Sequence, residues 1–193
     1  MAVRVLGISS SPRRDGNSDL LLKEVLRGAE GAGAQVEYLS LRGVQMSPCV
    51  ECNACYETGR CRIEDAFQDI LGRILGCDRL VFATPIFFMA VCASGKILID
   101  RHQCQWARKY VLKKPLFEPP RAGRRGWCVA VGGSRSTKMF ECIRLTMKYF
   151  FDVLEMDYAG DLTVNRVDAK GEILKHPDVL QQAFELGRQV GAP

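Results

Sequence analysis

Apolar and polar positions along the chain switch between two periods. Residues 3–8 hold Val3, Val5, Leu6 and Ile8, a short β-branched run of the kind that forms a strand buried on both faces. From Ser18 the spacing turns helical, pairing Leu21 with Val25 and aligning Leu22, Leu26 and Ala29. Asn17 or Ser18 is expected to cap this helix, with Asp19 charging its first turn and Gly31-Ala32-Gly33 closing it. Residues 35–41 alternate and predict a second strand, followed by a polar loop over 42–62. Phe67, Ile70, Leu71 and Ile74 predict a helix over 64–75, and Leu80, Val81 and Phe82 a buried strand over 78–83 that ends at Thr84-Pro85. A helix from about residue 94 carries Ile97, Leu98 and Ile99 toward Trp106, and the basic, proline-containing stretch 110–125 predicts an exposed excursion. Residues 127–131 predict a fourth strand. Residues 137–153 predict a helix with Met139, Ile143, Met147, Phe150 and Phe151 inward. A fifth strand over 156–164 and a closing helix over 177–190, with Pro177 in its first turn, complete the pattern.

Alternating strands and helices of this kind predict an α/β fold: a doubly wound, five-stranded parallel sheet in a single domain, 1–193, with the loop 42–62 inserted after strand two. Ligands of such sheets sit beyond the carboxyl ends of the strands. The loops 9–17, 85–89 and 132–135 are therefore expected to converge. The first offers hydroxyl and amide donors at a helix N-terminus, a setting for phosphate. Ser9, Ser10, Ser11, Asn17 and Ser18 can donate, and Arg13 or Arg14 can add charge. It has neither the Gly-Lys-Ser/Thr ending of a nucleoside-triphosphate loop nor the Gly-x-Gly-x-x-Gly of dinucleotide folds. Neutral donors suit a mononucleotide such as FMN, although an ordinary serine-rich loop remains open. The second loop is apolar and aromatic, and the third carries glycines that admit close backbone approach. Core packing is the alternative for Phe87, Phe88 and Met89.

Composition narrows the class without deciding it. Apolar residues at 47% and charged residues at 25% of 193 are ordinary for a soluble globular chain. The net charge of +5 is spread apart from 109–125, so no nucleic-acid partner is expected. The N-terminus lacks a signal-peptide layout and no apolar run reaches membrane length, so a cytoplasmic protein without membrane contact is expected. Nine cysteines in that reducing setting read as thiols or metal ligands. His102 and His176, the only histidines, read as surface or packing residues.

Gly7-Ile8-Ser9-Ser10-Ser11-Pro12-Arg13 with Gly16-Asn17-Ser18 resembles the phosphate loop of the flavodoxin-like NAD(P)H-dependent FMN reductase family. Thr84-Pro85-Ile86-Phe87-Phe88 resembles that family's loop beside the flavin ring, Gly95 to Arg101 the helix after it, and Gly132-Gly133-Ser134 its third flavin loop. The resemblance implies a flavodoxin-like fold, a flavin-dependent oxidoreductase and FMN as cofactor, with NAD(P)H as a reductant. It places Ser9, Ser11, Pro12, Arg13, Asn17, Ser18, Pro85, Ile86, Phe87, Phe88, Met89, Gly132, Gly133 and Ser134 around the flavin. It also implies a homodimer or homotetramer, which would cover Phe87 to Met89 and Trp106.

Cys49, Cys52, Cys55 and Cys61 stand as C-x2-C-x2-C-x5-C after Pro48, and thiolates three residues apart on a turning loop can face one cavity. Gly59 can help the loop bend back to Cys61. This spacing resembles the iron-sulfur flavoprotein branch of the same superfamily, which implies a 4Fe-4S cluster on these residues, electron transfer between FMN and the cluster, and a partner such as ferredoxin. Zinc, a redox dithiol and a thiol-only loop stay open. Cys77, Cys92, Cys104, Cys128 and Cys142 read as buried small hydrophobes. Two further functions are open: an NAD(P)H-dependent FMN or quinone reductase without a cluster, and a flavin redox sensor without turnover.

Overall fold

The computed structural model describes residues 2–193. Five parallel strands form the sheet: β1 (Arg4–Ser9), β2 (Gln35–Ser40), β3 (Arg79–Phe87), β5 (Arg125–Val131) and β6 (Asp157–Val164), in the order β2-β1-β3-β5-β6. The short β4 (Ala90–Val91) pairs antiparallel with the end of β3. Strand order reverses beside β1, which makes the carboxyl end of β1 and β3 the topological switch point.

The central strands read as continuous apolar runs because both their faces are covered. Leu6 and Ile8, Leu80 and Phe82, and Cys128 and Ala130 face one core with α3 (Phe67–Gly76), α4 (Ala93–Arg101) and α6 (Met139–Val153). Val5, Val81 and Ala83, and Trp127, Val129 and Val131 face the other, with α1 (Asn17–Gly31) and α7 (Pro177–Gly191). Helices α1 and α7 cross at Gly28 and Gly187, where a β-carbon on either would overlap a backbone carbonyl of its neighbour.

Several expectations are corrected. The residue capping α1 is Gly16, and no side chain makes the cap bond. Strand β3 does not stop at Thr84-Pro85 but runs to Phe87 and turns back through Phe88 and Met89 into β4. Both turn residues have positive φ, 50° and 62°, the conformation of a two-residue hairpin of right-handed twist, here without glycine. The helix expected to reach Trp106 is broken at His102 into α4 and α5 (Gln103–Trp106), with a π-helical turn over Ala107–Val111 behind it. The stretch 110–125 is not a freely solvated excursion. Arg124 is buried and donates from Nε to Cys77 O (3.2 Å) and from Nη2 to Ile74 O (2.7 Å). Arg121 Nη1 reaches Leu75 O at 2.6 Å, so the two guanidiniums cap the carbonyl end of α3. Cys142 is exposed, whereas Cys77, Cys92, Cys104 and Cys128 are buried as expected.

Candidate functional site: two clefts joined by one helix

The first cleft opens at the switch point and is lined by Ser11, Pro12, Arg13, Gly16, Asn17 and Ser18, by Pro85, Ile86 and Phe87, and by Val131, Gly132 and Gly133. Residues from all three expected loops therefore meet. Its floor is made rigid by local bonds. Ser10 donates from its backbone N (2.9 Å) and its Oγ (3.0 Å) to Ala83 O, tying the loop to β3. Ser11 Oγ donates to Arg13 O (3.0 Å) and accepts from Arg13 N (3.2 Å), and a side chain at Gly16 would collide with that hydroxyl. From below, the buried Asp19 carboxylate accepts from Asp15 N (3.1 Å) and from Tyr38 Oη, with Lys23 Nζ at 3.3 Å.

Against that floor, Ser9 Oγ and Ser18 Oγ are buried hydroxyls with no hydrogen-bond partner among the described residues. A buried hydroxyl left unmade costs about 1–3 kcal/mol. Ser18 stands in the first turn of α1, whose N–H groups lack intrahelical acceptors, and lines the cleft; Ser9, at the end of β1, is not among the residues of the cleft wall, and its side chain neighbours the Tyr38 hydroxyl. An orphaned donor at the positive end of a helix fits the phosphate of a mononucleotide. Asn17 serves otherwise: its Nδ2 donates to Ala169 O (2.9 Å) and its Oδ1 accepts from Ile173 N (3.2 Å). Arg13 Nη1 leans on Asp168 O at 3.4 Å. Ser134 Oγ accepts from Ser136 N (3.2 Å), while Phe88 is fully exposed and Met89 half-exposed, so these three lie outside the cleft wall. Val167 and Asp168 complete the wall, and nothing local in the sequence marks them.

The second cleft is lined by Cys49, Cys52, Cys55 and Cys61 together with Arg101, Gln103 and Cys104. The four thiols expected from the C-x2-C-x2-C-x5-C spacing thus face one space. Glu51 and Asn53 take positive φ (52° and 57°), then the short α2 (Cys55–Thr58) ends at Gly59 with φ 69°, and these bends turn the loop inward. Burial pushes the Cys55 thiol up, and the neighbouring Cys49, Cys52 and Cys61 sulfurs add to the rise, as like charges do. Among the described residues no three His, Cys, Asp or Glu side chains stand in an arrangement that could hold a metal ion. The donor set fits a soft-metal centre in kind; the thiols are not drawn together to ligating distance. Cys104, read from sequence as core, is buried at the back of this cleft with its thiol pushed up to about 11, mainly by burial and further by Cys61 and Cys55.

Arg101 ties the ends of the cysteine loop. Its side chain is fully buried, and Nη1 donates to Ser47 O (2.9 Å) and Asp65 Oδ2 (2.7 Å) while Nη2 donates to Ile63 O (2.8 Å). Burial alone would raise the Asp65 carboxyl, but the guanidinium and the N–H groups of Ser47 and Phe67 hold it below the usual range. The other end of the same helix serves the first cleft. Cys92 Sγ and Ser94 Oγ each lie 2.9 Å from Ser10 O. A β-carbon at Gly95 would stand 2.6 Å from Val91 and 3.0 Å from Ser10, so glycine lets α4 close on the phosphate loop. Helix α4 therefore bonds to the loop of one cleft at its start and lines the other with Arg101 at its end.

No helix among the described residues is long and apolar enough to cross a membrane. Residues 3–166 match the family of NADPH-dependent FMN reductases. An iron-sulfur flavoprotein of Methanocaldococcus jannaschii is 33% identical over 164 residues, covering 82% of this chain and 77% of that protein. An iron-sulfur flavoprotein of Archaeoglobus fulgidus is 31% identical over 131 residues, 68% of this chain; the match spans 63% of that relative, less than two thirds of its length. The fold is shared with a flavone reductase at a TM-score of 0.71 and 21% identity, over 98% of this chain and 62% of the other. The chain belongs to the NADPH-dependent FMN reductase family, on its iron-sulfur flavoprotein branch, and is a flavin-dependent oxidoreductase.

Proposed function

We propose that the chain passes electrons between FMN in the first cleft and a 4Fe-4S cluster held by Cys49, Cys52, Cys55 and Cys61. The observation that carries this reading is the pair of clefts linked by α4, which bonds at its start to the loop of a cleft with the orphaned Ser18 hydroxyl at a helix N-terminus and at its end clamps a cleft lined by four cysteines. Bound there, the flavin supplies hydride and single-electron chemistry and the cluster single-electron exchange. Ser18 and the backbone N–H groups of the first turn of α1 would hold the phosphate. Pro85, Ile86 and Phe87, with the bare backbone of Gly132 and Gly133, would enclose the ring. NAD(P)H is the proposed small-molecule reductant. A second copy of the chain is the proposed cover for the exposed Phe88 and Met89, and sedimentation as a monomer would remove that part.

A second reading is an NAD(P)H-dependent FMN or quinone reductase whose cysteine loop is structural. It is favoured by the absence, among the described residues, of any ligand trio drawn together. Anaerobic purification followed by visible absorbance and iron analysis separates the two. About four iron per chain with a broad shoulder beside the flavin bands is expected. Flavin bands without iron select the second reading, and a colourless chain that takes up no flavin defeats both.

A further inference from the structure

The buried guanidinium of Arg101 has more donors than the protein uses. Its Nη atoms supply the three bonds to Ser47 O, Asp65 Oδ2 and Ile63 O, while Nε is buried with no acceptor among the described residues. The head group stacks on the Phe67 ring at 4.6 Å, which fixes its plane. It lines the cysteine cleft, and the Cys61 sulfur is its neighbour there. An arginine does not shed its charge, so a leftover buried N–H calls for an anionic acceptor. Asp65 is the one carboxylate paired with it. The Glu51 carboxylate also borders the cleft but is exposed, and the cleft group that lies beside the guanidinium is the Cys61 sulfur.

We propose that Arg101 is a positioning residue for the cysteine centre: its Nη atoms close the loop at Ser47, Ile63 and Asp65, and its Nε–H donates to a sulfur of the loaded cleft, the Cys61 thiolate foremost. This rests on the cluster reading above. Hydrogen bonds to ligand sulfur raise a cluster's reduction potential and slow metal loss, whereas a purely structural clamp affects only folding.

The test uses the full chain purified anaerobically with FMN and iron, beside Arg101→Lys, which keeps the charge but not the fork, and Arg101→Gln. FMN content and thermal melting report the fold. In both variants iron is expected to pass to a chelator about ten- to a hundredfold faster, a typical second-sphere loss. The midpoint potential, followed by electron paramagnetic resonance, is expected to move down. Unchanged release and unchanged potential in folded, loaded variants overturn the proposal and leave the cluster reading intact. A parent chain that takes no iron overturns both, before any variant is made. Should both variants fail to fold, pulsed resonance on the reduced parent labelled with 15N at arginine decides. A nitrogen coupled to the centre is expected, and its absence overturns the proposal.

Discussion

The cleft around Ser11 and Ser18 takes its shape from the sheet, whereas the cleft around the cysteines takes its shape from a loop tied at its two ends. In the first, Ser10 is bonded to β3, Gly16 packs on Ser11 and Asp19 holds Asp15 from below, so the unspent Ser18 hydroxyl already sits in the wall of the cleft. In the second, Arg101 fixes Ser47 and Ile63–Asp65 while the thiols between them remain apart. A site on strand ends is organised before its ligand arrives; a site on a loop shares that work with the ligand.

The strongest challenge to this contrast is Cys61→Ser. It should abolish iron binding outright while flavin absorbance persists, and loss of both together would show that the clefts are not independent. Next, Ser18→Ala should weaken FMN binding about ten- to a hundredfold, since a bond to a charged group contributes about 1.5–3 kcal/mol. Among the described residues this hydroxyl has no hydrogen-bond partner, so the flavin-free variant should melt no lower than the parent. A lower melt would mean the hydroxyl serves the fold.

A third probe addresses what lies between the clefts. His102, at the end of α4, is buried between Phe67 and Phe150, and burial lowers its pKa from 6.5 to about 4, with Leu98 O accepting from Nδ1 at 2.8 Å. The unfolded chain takes up this proton near 6.5 while the folded chain refuses it until about 4, so stability falls as pH drops through that window. The loss is about 1.4 kcal/mol per pH unit. Urea melts at pH 7 and pH 5 should show it in the parent, and His102→Gln should remove that part of the slope. The smallest effect is expected at the rim. Phe88→Gly relieves a left-handed residue whose side chain packs on nothing in the chain, and should raise stability by about 1 kcal/mol in urea unfolding. A drop instead would show that the exposed ring is held by another copy.

The phosphate loop was legible because its chemistry is local: a buried strand, a run of hydroxyls and a helix start within sixteen residues, Val3 to Ser18. The parallel sheet followed from apolar runs that only two-sided burial explains. What stayed hidden depends on distance or on a broken local rule. Val167 and Asp168 reach the first cleft from far along the chain. Arg101 and Arg124 look like solvated charges until the carbonyls around them are seen. The extension of β3 through Pro85 and a hairpin without glycine runs against turn chemistry, which is why the sequence pattern predicts a strand ending at Thr84-Pro85. Asn17 had the right chemistry for a phosphate donor, yet its amide is spent on residues 169 and 173.

Helix α4 spans nine residues, Ala93–Arg101, between its contact with Ser10 and its clamp on the cysteine loop. At the rise of an α-helix that is about 14 Å, set by backbone geometry and indifferent to how either end is filled. The molecule thus carries its own ruler. The spacing between the Ser10 contact and the clamp on the cysteine loop is written into the residue count of one short helix, and inserting or deleting a single residue there would alter both its length and the direction in which its far end points.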